Sequence, residues 1–586
     1  MLAALLGFAW RADRRNVLVV AVLLLSGGAV VIAEVWFIRD MVDAAVAGRW
    51  TRCVTAAVAA GLLAASAASI GRVQSNLELQ LGERIGLEVD RQVLTAVSGV
   101  PHIGHVENPD YLDRVALIRA RKSWLTSALW NVGGVANTAV VLTLGIALML
   151  TVHPLSALMV PAGVPVLLLR AAGQRKATAL LDRATPLTRL EQHLTGLCLS
   201  PDANSEIRIG AAGDGLDERA DRLWSQASAI EARADLRTAR FAIAGSAILV
   251  ASYTGALAVV AWLISQGRAG LGDLMMVVIL TATLTRSTTS LAGSVTALQR
   301  AVGLLDRYHW LRDFDAGLTP ASGGAAPATL RSGITLSGVC FRYPGSEADV
   351  LRDIDLTIPA GTSVAVVGPH GAGKSTLIKL LCGLYEPTTG VITVDDRPLT
   401  AIEPASWQSA VTAAFQDGHR FELRLAEAVG IGDLPHMHDE SRVEAAIRAA
   451  GAEDVVAATP HGLRTPLGRS LDGGVDLSGG QWQKLALARA AMRTRPLLVV
   501  LDEPFASLDA PAERDLVRRY AETAGQVSET GAITVFVTHR LSTARIADLI
   551  VVVEDGGITE VGKHEDLAAR RGLYAELHRM QVDSYA

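Results

Sequence analysis

The run GPHGAGKST at 368–376 constrains this chain more than any other stretch. It follows a short apolar segment at 363–367 and precedes the helix-compatible LIKLL at 377–381. Gly368, Gly373, Lys374 and Ser375, set between a buried strand and a helix start, form the pattern of a phosphate-binding loop. Glycines at 368, 371 and 373 let the backbone wrap closely around a polyphosphate, because they tolerate positive φ and carry no side chain. Exposed amides up to Thr376, with the helix dipole behind them, attract the anion. Lys374 can then reach the β- and γ-phosphates, while the Ser375 hydroxyl is placed to ligate Mg²⁺.

The chain ahead of this loop has a different character. Of its 586 residues, 50% are hydrophobic and only 19% charged, a balance that places part of the chain in lipid. A spanning helix needs about 20 mostly apolar residues. Six stretches qualify: 17–38, 54–74, 126–151, 155–172, 240–264 and 271–298. The second and fourth run on into polar helix-compatible sequence, as membrane helices extended into the cytoplasm would. The intervening segments 75–123 and 173–239 are arginine-rich, whereas the connections at 152–154 and 265–270 carry little charge, so both termini belong on the cytoplasmic side. Arg11, Arg14 and Arg15 follow the first apolar residues instead of preceding them, the reverse of a cleaved signal peptide.

A Gly-, Ala- and Pro-rich linker at 313–332 separates this region from short apolar strands that alternate with helical patterns. The strands at 334–341, 363–367, 497–501, 533–537 and 549–553 predict an α/β domain with a largely parallel core sheet. The expected architecture is therefore an α-helical six-span transmembrane domain at 1–312, the linker, and an α/β P-loop nucleotide-binding domain at 333–586. The net charge of −5 provides no basic surplus for nucleic acid. Cys53, Cys198, Cys340 and Cys382 lack the spacing of a metal or disulfide site.

The sequence LSGGQ at 477–481, followed by an apolar run and then Asp502-Glu503-Pro504, resembles the ATP-binding cassette (ABC) family. In that family Ser478, Gly479, Gly480 and Gln481 would cap the ATP held by a second cassette, so the resemblance implies a dimer. It also implies roles for single residues. Tyr343 matches the aromatic that stacks on adenine, Gln416 the glutamine that senses Mg²⁺ and the attacking water, and Asp502 the carboxylate that holds Mg²⁺. Glu503 matches the general base, Ser507-Leu508-Asp509 the loop between the two sites, and His539 the switch histidine at the γ-phosphate. His370 and Phe505 stand where asparagine and threonine are usual.

A membrane domain preceding a cassette on one chain resembles a half-size ABC exporter, whose partner is a second half-transporter, identical or related. The resemblance implies ATP and Mg²⁺, a multi-pass location in the bacterial inner membrane with the cassette in the cytoplasm, contact with membrane lipid, and export of a substrate the sequence does not name. Trp482 and the run ENPDYLD at 107–113 resemble a bacterial subgroup that includes exporters of modified peptides, and the early entry into the membrane implies no leader-cleaving domain. A lipid flippase is the alternative. Soluble cassette ATPases are disfavoured by the apolar spans, nutrient importers by the fusion of both parts on one chain, and an ABC-type channel by nothing in the sequence. The segment 197–209 matches the position of a coupling helix that docks on the partner's cassette. In the sixth span, Thr281, Thr285 and Thr288 share a helical stripe, and Arg286 lies off it, about 22 Å beyond Leu271. Arg286 reads equally as a contact on the translocation path or as a structural arginine that snorkels or pairs.

Overall fold

The computed structural model describes residues 2–154, 163–318, 323–416, 418–503 and 530–585. The chain divides into two compact units: Met1–Thr95 with Arg114–Arg312, and Ala96–Asp113 with Asp313–Ala586. The second unit thus includes a loop taken from the middle of the helical half.

The described elements of the first unit are all helices. Its elements are α1 (Leu2–Val46), α2 (Trp50–Gly99), α3 (Pro109–Ala120, shared with the second unit), α4 (Ser123–Leu150), α5 (Gly163–Leu199), α6 (Pro201–Ile209), α7 (Gly213–Ser265) and α8 (Leu271–Leu318). Asp13 interrupts α1 with a non-helical backbone, and its carboxylate accepts from the amides of Arg15 and Asn16 at 3.1 and 3.2 Å. That is an N-cap, and the first apolar span starts from it. The 50 residues of α2 and 53 of α7 reach about 75 to 80 Å, well beyond a 30 Å hydrocarbon core. Both helices carry an apolar segment in one part and polar sequence in the rest.

Four described helical segments are long and apolar enough to cross a membrane: Asp13–Val46, Trp50–Gly99, Ser123–Leu150 and Gly213–Ser265. Of the other two expected spans, 155–172 lies partly outside the described residues, and 271–298 lies in one continuous helix, α8, that is not among the four. Ile32, Val141, Val260 and Leu280 bring α1, α4, α7 and α8 into one core cluster. Gly28 permits the α1–α4 approach, since a Cβ there would stand 2.6 Å from Asn137 Oδ1.

The second unit is α/β. A four-stranded antiparallel sheet has the order β2 (Leu351–Pro359), β1 (Gly333–Phe341), β4 (Thr389–Val394), β5 (Arg397–Pro398). A six-stranded sheet has the order β10 (Gly557–Gly562), β9 (Leu549–Glu554), β3 (Ser363–Val367), β8 (Ile533–Val537), β7 (Leu498–Asp502), β6 (Val411–Ala414). All its pairings are parallel except β9–β10. β7 and β8 are buried at every position, as strands covered on both faces must be, and this explains their unbroken apolar sequence. The helices are α9 (Lys374–Leu381), α10 (Pro404–Ala410), α11 (Leu425–Gly430), α12 (Glu440–Ala449), α13 (Glu453–Ala457), α14 (Gly479–Ala490), α15 (Leu541–Ala544), α16 (His564–Ala569) and α17 (Leu573–Tyr585) among the described residues.

Candidate active site

The phosphate-binding loop leaves the buried end of β3 and enters α9. Gly368 has φ 149°, and a Cβ there would stand 2.0 Å from Val553 O. Only glycine fits. Gly373, at φ 102°, is the residue before α9, and Gly371, at φ 79°, has open space on its Cα. Lys374 folds back over this cradle and donates from Nζ to Gly368 O at 2.9 Å and Pro369 O at 2.7 Å. Burial lowers its pKa from the ordinary lysine value, with Glu503 and Asp502 acting in the opposite sense. A buried ammonium that donates to two carbonyls among the described residues is suited to an incoming anion. Thr376 is buried and its hydroxyl lies 3.0 Å from the Tyr343 hydroxyl, so the aromatic after β1 is tied to the loop.

The parallel register of β7 and β8 pairs Asp502 with Val537, so the residues that follow both strands emerge at the same end of the sheet. Asp502 is buried at the end of its strand and α9, opened by Lys374 and Ser375, packs against β7. Asp502 and the Ser375 hydroxyl are hard oxygen donors of the kind Mg²⁺ takes, and the set fits that ion. Glu503 has φ 46°, its amide donating to Val537 O at 3.2 Å and its carbonyl accepting from Gln483 Nε2 at 3.2 Å. His539 Nε2 lies 2.5 Å from Glu503 Oε1. Gln416 follows β6 and is exposed.

Ser478 caps α14, accepting from Gln481 N at 3.3 Å, while Gln481 Oε1 accepts from Ser478 N at 2.9 Å. This capping box leaves Ser478 and Gly479 exposed. The fold therefore gathers the loop, Tyr343, Asp502, Glu503 and His539, whereas the hydrogen bonds of Ser478 and Gln481 stay within their own helix start. Phe505 and the segment 507–509 lie outside the described residues.

Three contacts escaped sequence reasoning. Gln483 supports Glu503 from the signature helix, and Gln581 reaches the His539 backbone from α17. The third is the loop from 96 to 113. Ile103 N donates to Leu384 O at 3.0 Å, and Gln408 Nε2 to Pro101 O at 2.7 Å. Glu107 accepts from the Tyr385 hydroxyl and sits 3.3 Å from Lys379 Nζ. Tyr385 in turn meets Tyr343 edge-on, ring centroids 5.5 Å apart. No local pattern could have announced pairs so distant in sequence. The two features that suggested a peptide-exporter subgroup are both occupied by packing inside this unit: Trp482 in the core with Leu485 and Val443, Glu107 with Tyr385 and Lys379.

In the helical unit, the expected coupling segment appears as α6, capped by Ser200, with Leu199 78% and Ile209 89% exposed. Arg286 is exposed on α8, while Thr281 and Thr283 donate back to Val277 O and Ile279 O at 2.7 and 2.9 Å. These two hydroxyls serve their own helix.

Residues 351–506 match the family model described as ABC transporter. An ATP-dependent lipid A-core flippase of Burkholderia orbicola is 37% identical over 49% of this chain and 46% of that protein. A human mitochondrial potassium channel ATP-binding subunit is 37% identical over 53% of this chain and 41% of that protein. The chain thus spans a little under half the length of the curated relatives it matches. Among solved structures, that of a bacterial Atm1-family ABC exporter with ATP bound superposes with TM-score 0.83, at 23% identity, covering 97% of this chain and 98% of that one. The fold and site define an α/β unit with a phosphate-binding loop on one chain with a helical unit that carries long apolar helices. Residues 351–506 match the ABC transporter model, and the chain as a whole has the fold of that exporter structure.

Proposed function

We propose that the chain is one half of an ATP-driven exporter, working as a dimer in the bacterial inner membrane with its cassettes in the cytoplasm. In this reading the domains run 1–312, 313–332 and 333–586, and the first crosses the membrane six times. The observation that carries it is the His539–Glu503 contact beside a phosphate-binding loop, in a cassette whose Ser478 and Gly479 are exposed.

The roles follow from the chemistry of each side chain. Gly368, Gly371, Gly373 and Thr376 present backbone amides to the phosphates, Lys374 adds charge, and Tyr343 offers its ring to the base. Ser375, Asp502 and Gln416 would hold Mg²⁺, which when bound spreads the charge of phosphoryl transfer. Glu503 takes the proton of the attacking water, and His539 orients the carboxylate. Ser478, Gly479, Gly480 and Gln481 close over the nucleotide of the partner cassette. Ser478 and Gln481 cap each other, so the amides of Gly479 and Gly480 are the ones that serve that purpose.

A lipid flippase is the second reading, favoured by the lipid A-core flippases among the relatives. Reconstitution of the purified chain tests both. ATP-dependent movement of substrate into inverted vesicles supports export, while ATP-dependent translocation of labelled lipid between leaflets supports the flippase. ATP-gated conductance without vectorial transport rejects both and favours a channel. A monomeric, inactive chain revived by a co-expressed relative identifies one half of a heterodimer.

A further inference from the structure

The segment after His539 is held from the far end of the sequence. Arg540 is the residue before α15 and makes no side-chain cap, so the first amides of that short helix need another acceptor. Gln581, on α17, provides it: Oε1 accepts from Leu541 N at 2.9 Å, while Nε2 donates to the His539 carbonyl. One primary amide therefore bridges both sides of Arg540. Among side chains only glutamine and asparagine join an acceptor and two donors in one planar group, and of these glutamine has the longer reach. The Thr538 hydroxyl closes the same turn by accepting from Arg540 N at 3.0 Å.

The helix that carries Gln581 is itself anchored. Tyr574 is fully buried, its hydroxyl 2.7 Å from His564 Nδ1, and its amide donates to Glu560 Oε1 at 3.1 Å. His578 stacks on Tyr574, ring centroids 6.3 Å apart. Gln581 is thus carried on an anchored helix, and what it bonds is the backbone from which the His539 ring reaches Glu503.

We propose that Gln581 is a positioning residue for His539, so that docking of α17 sets the hydrolysis rate of its cassette. This rests on the reading of His539 as part of the hydrolytic site. Catalytic geometry displaced by about 1 Å can cost on the order of 10²-fold in rate. In full-length protein, Gln581→Ala should lower kcat for ATP by about 10-fold or more while the KM for ATP and the melting temperature hold. Gln581→Glu keeps the acceptor for Leu541 N but loses the donor to His539, and should be as slow as alanine. In a His539→Ala background, measured by single turnover, Gln581→Ala should add nothing. Wild-type rate for Gln581→Glu, additive losses in the two backgrounds, or loss of ATP binding together with melting temperature would each overturn the proposal. A fast Gln581→Ala beside a slow His539→Ala rejects this inference alone, whereas a fast His539→Ala rejects the underlying reading and this with it.

Discussion

His539 Nε2 and Glu503 Oε1 meet at 2.5 Å because their strands, β8 and β7, are parallel neighbours whose carboxyl ends lie at the same end of the sheet. Glu503 reaches that position with φ 46°, a conformation non-glycine residues rarely adopt and one that clusters at functional sites. The backbone contacts of Glu503 with Val537 and Gln483 hold the carboxylate in place whatever its charge. Glu503→Gln should therefore keep the fold and ATP binding while lowering turnover by about 10² to 10⁴. The measurements are steady-state ATPase and nucleotide binding on purified variant. Near wild-type turnover would reject Glu503 as the base.

Glu107 is the second quantity to test. It links the 96–113 loop to Tyr385 and Lys379, and through the Tyr385 ring to Tyr343. Burial, with the Glu107 carboxylate behind it, raises the Tyr385 pKa from its ordinary value, so the hydroxyl remains a donor throughout the working range. Glu107→Ala should loosen the loop, and the amide of Ile103, which donates to Leu384 O, should exchange faster with solvent. Tyr385→Phe should do the same to a lesser degree. Unaltered exchange at Ile103 in Glu107→Ala would show that the backbone bonds alone hold the loop.

How much of this was legible in the sequence depends on the range of the signal. The phosphate-binding loop, the signature and the strand at 497–501 could be read because glycine at positive φ, a capping serine and a doubly buried strand each leave a local pattern. The polar continuations of α2 and α5 were legible for the same reason, as polar helical sequence continuing an apolar span. Capture of the 96–113 loop by the cassette was not, because a carboxylate that bonds Tyr385 looks the same in sequence as one facing water. The spans at 155–172 and 271–298 differ again: the first is only partly described, and the second lies in the continuous helix α8. Of the threonines on the stripe that suggested a translocation path, Thr281 bonds its own helix, as does the neighbouring Thr283.

The α6 segment carries a third prediction. Leu199 and Ile209 expose apolar side chains at its ends, and Glu206 is exposed between them. Replacing Glu206 and Ile207 together with alanine should leave ATP binding unchanged and weaken the stimulation of ATPase by transported compound. Unchanged stimulation across a panel of lipids and amphipathic peptides would move the contact elsewhere.

The C-terminal helix should also respond to pH. Burial lowers the pKa of His564 below its ordinary value of 6.5, helped by His578 and Arg545 and opposed by Glu565. The folded state therefore favours the neutral ring, and the unfolded state binds more protons as pH falls. The His564 contribution is fully present above about pH 6.5 and is lost as pH falls through the lowered value. His564→Gln can still accept from the Tyr574 hydroxyl but does not titrate. The melting temperature of wild type relative to His564→Gln should decline between about pH 7 and pH 5.5. A constant difference over that range would mean that His564 does not titrate in the fold.

Arg286 decides whether α8 lines the path. It is exposed and has no ion pair among the described residues, and neither Thr281 nor Thr283 spends its hydroxyl on it. A charge near the middle of a span costs roughly 2.5 to 3.5 kcal/mol on insertion scales unless water or a partner meets it. In a dimer whose cavity opens inward, water would meet the guanidinium, and a polar or anionic group of the cargo would displace that water. Arg286→Ala should then reduce cargo-stimulated ATPase and transport while basal ATPase and the yield of folded protein hold. Loss of folded protein would identify a structural arginine that pairs across the dimer or snorkels to the inner interface. Unchanged transport would remove Arg286 from the path, and with it the only charge on the 271–298 segment beyond its first turn.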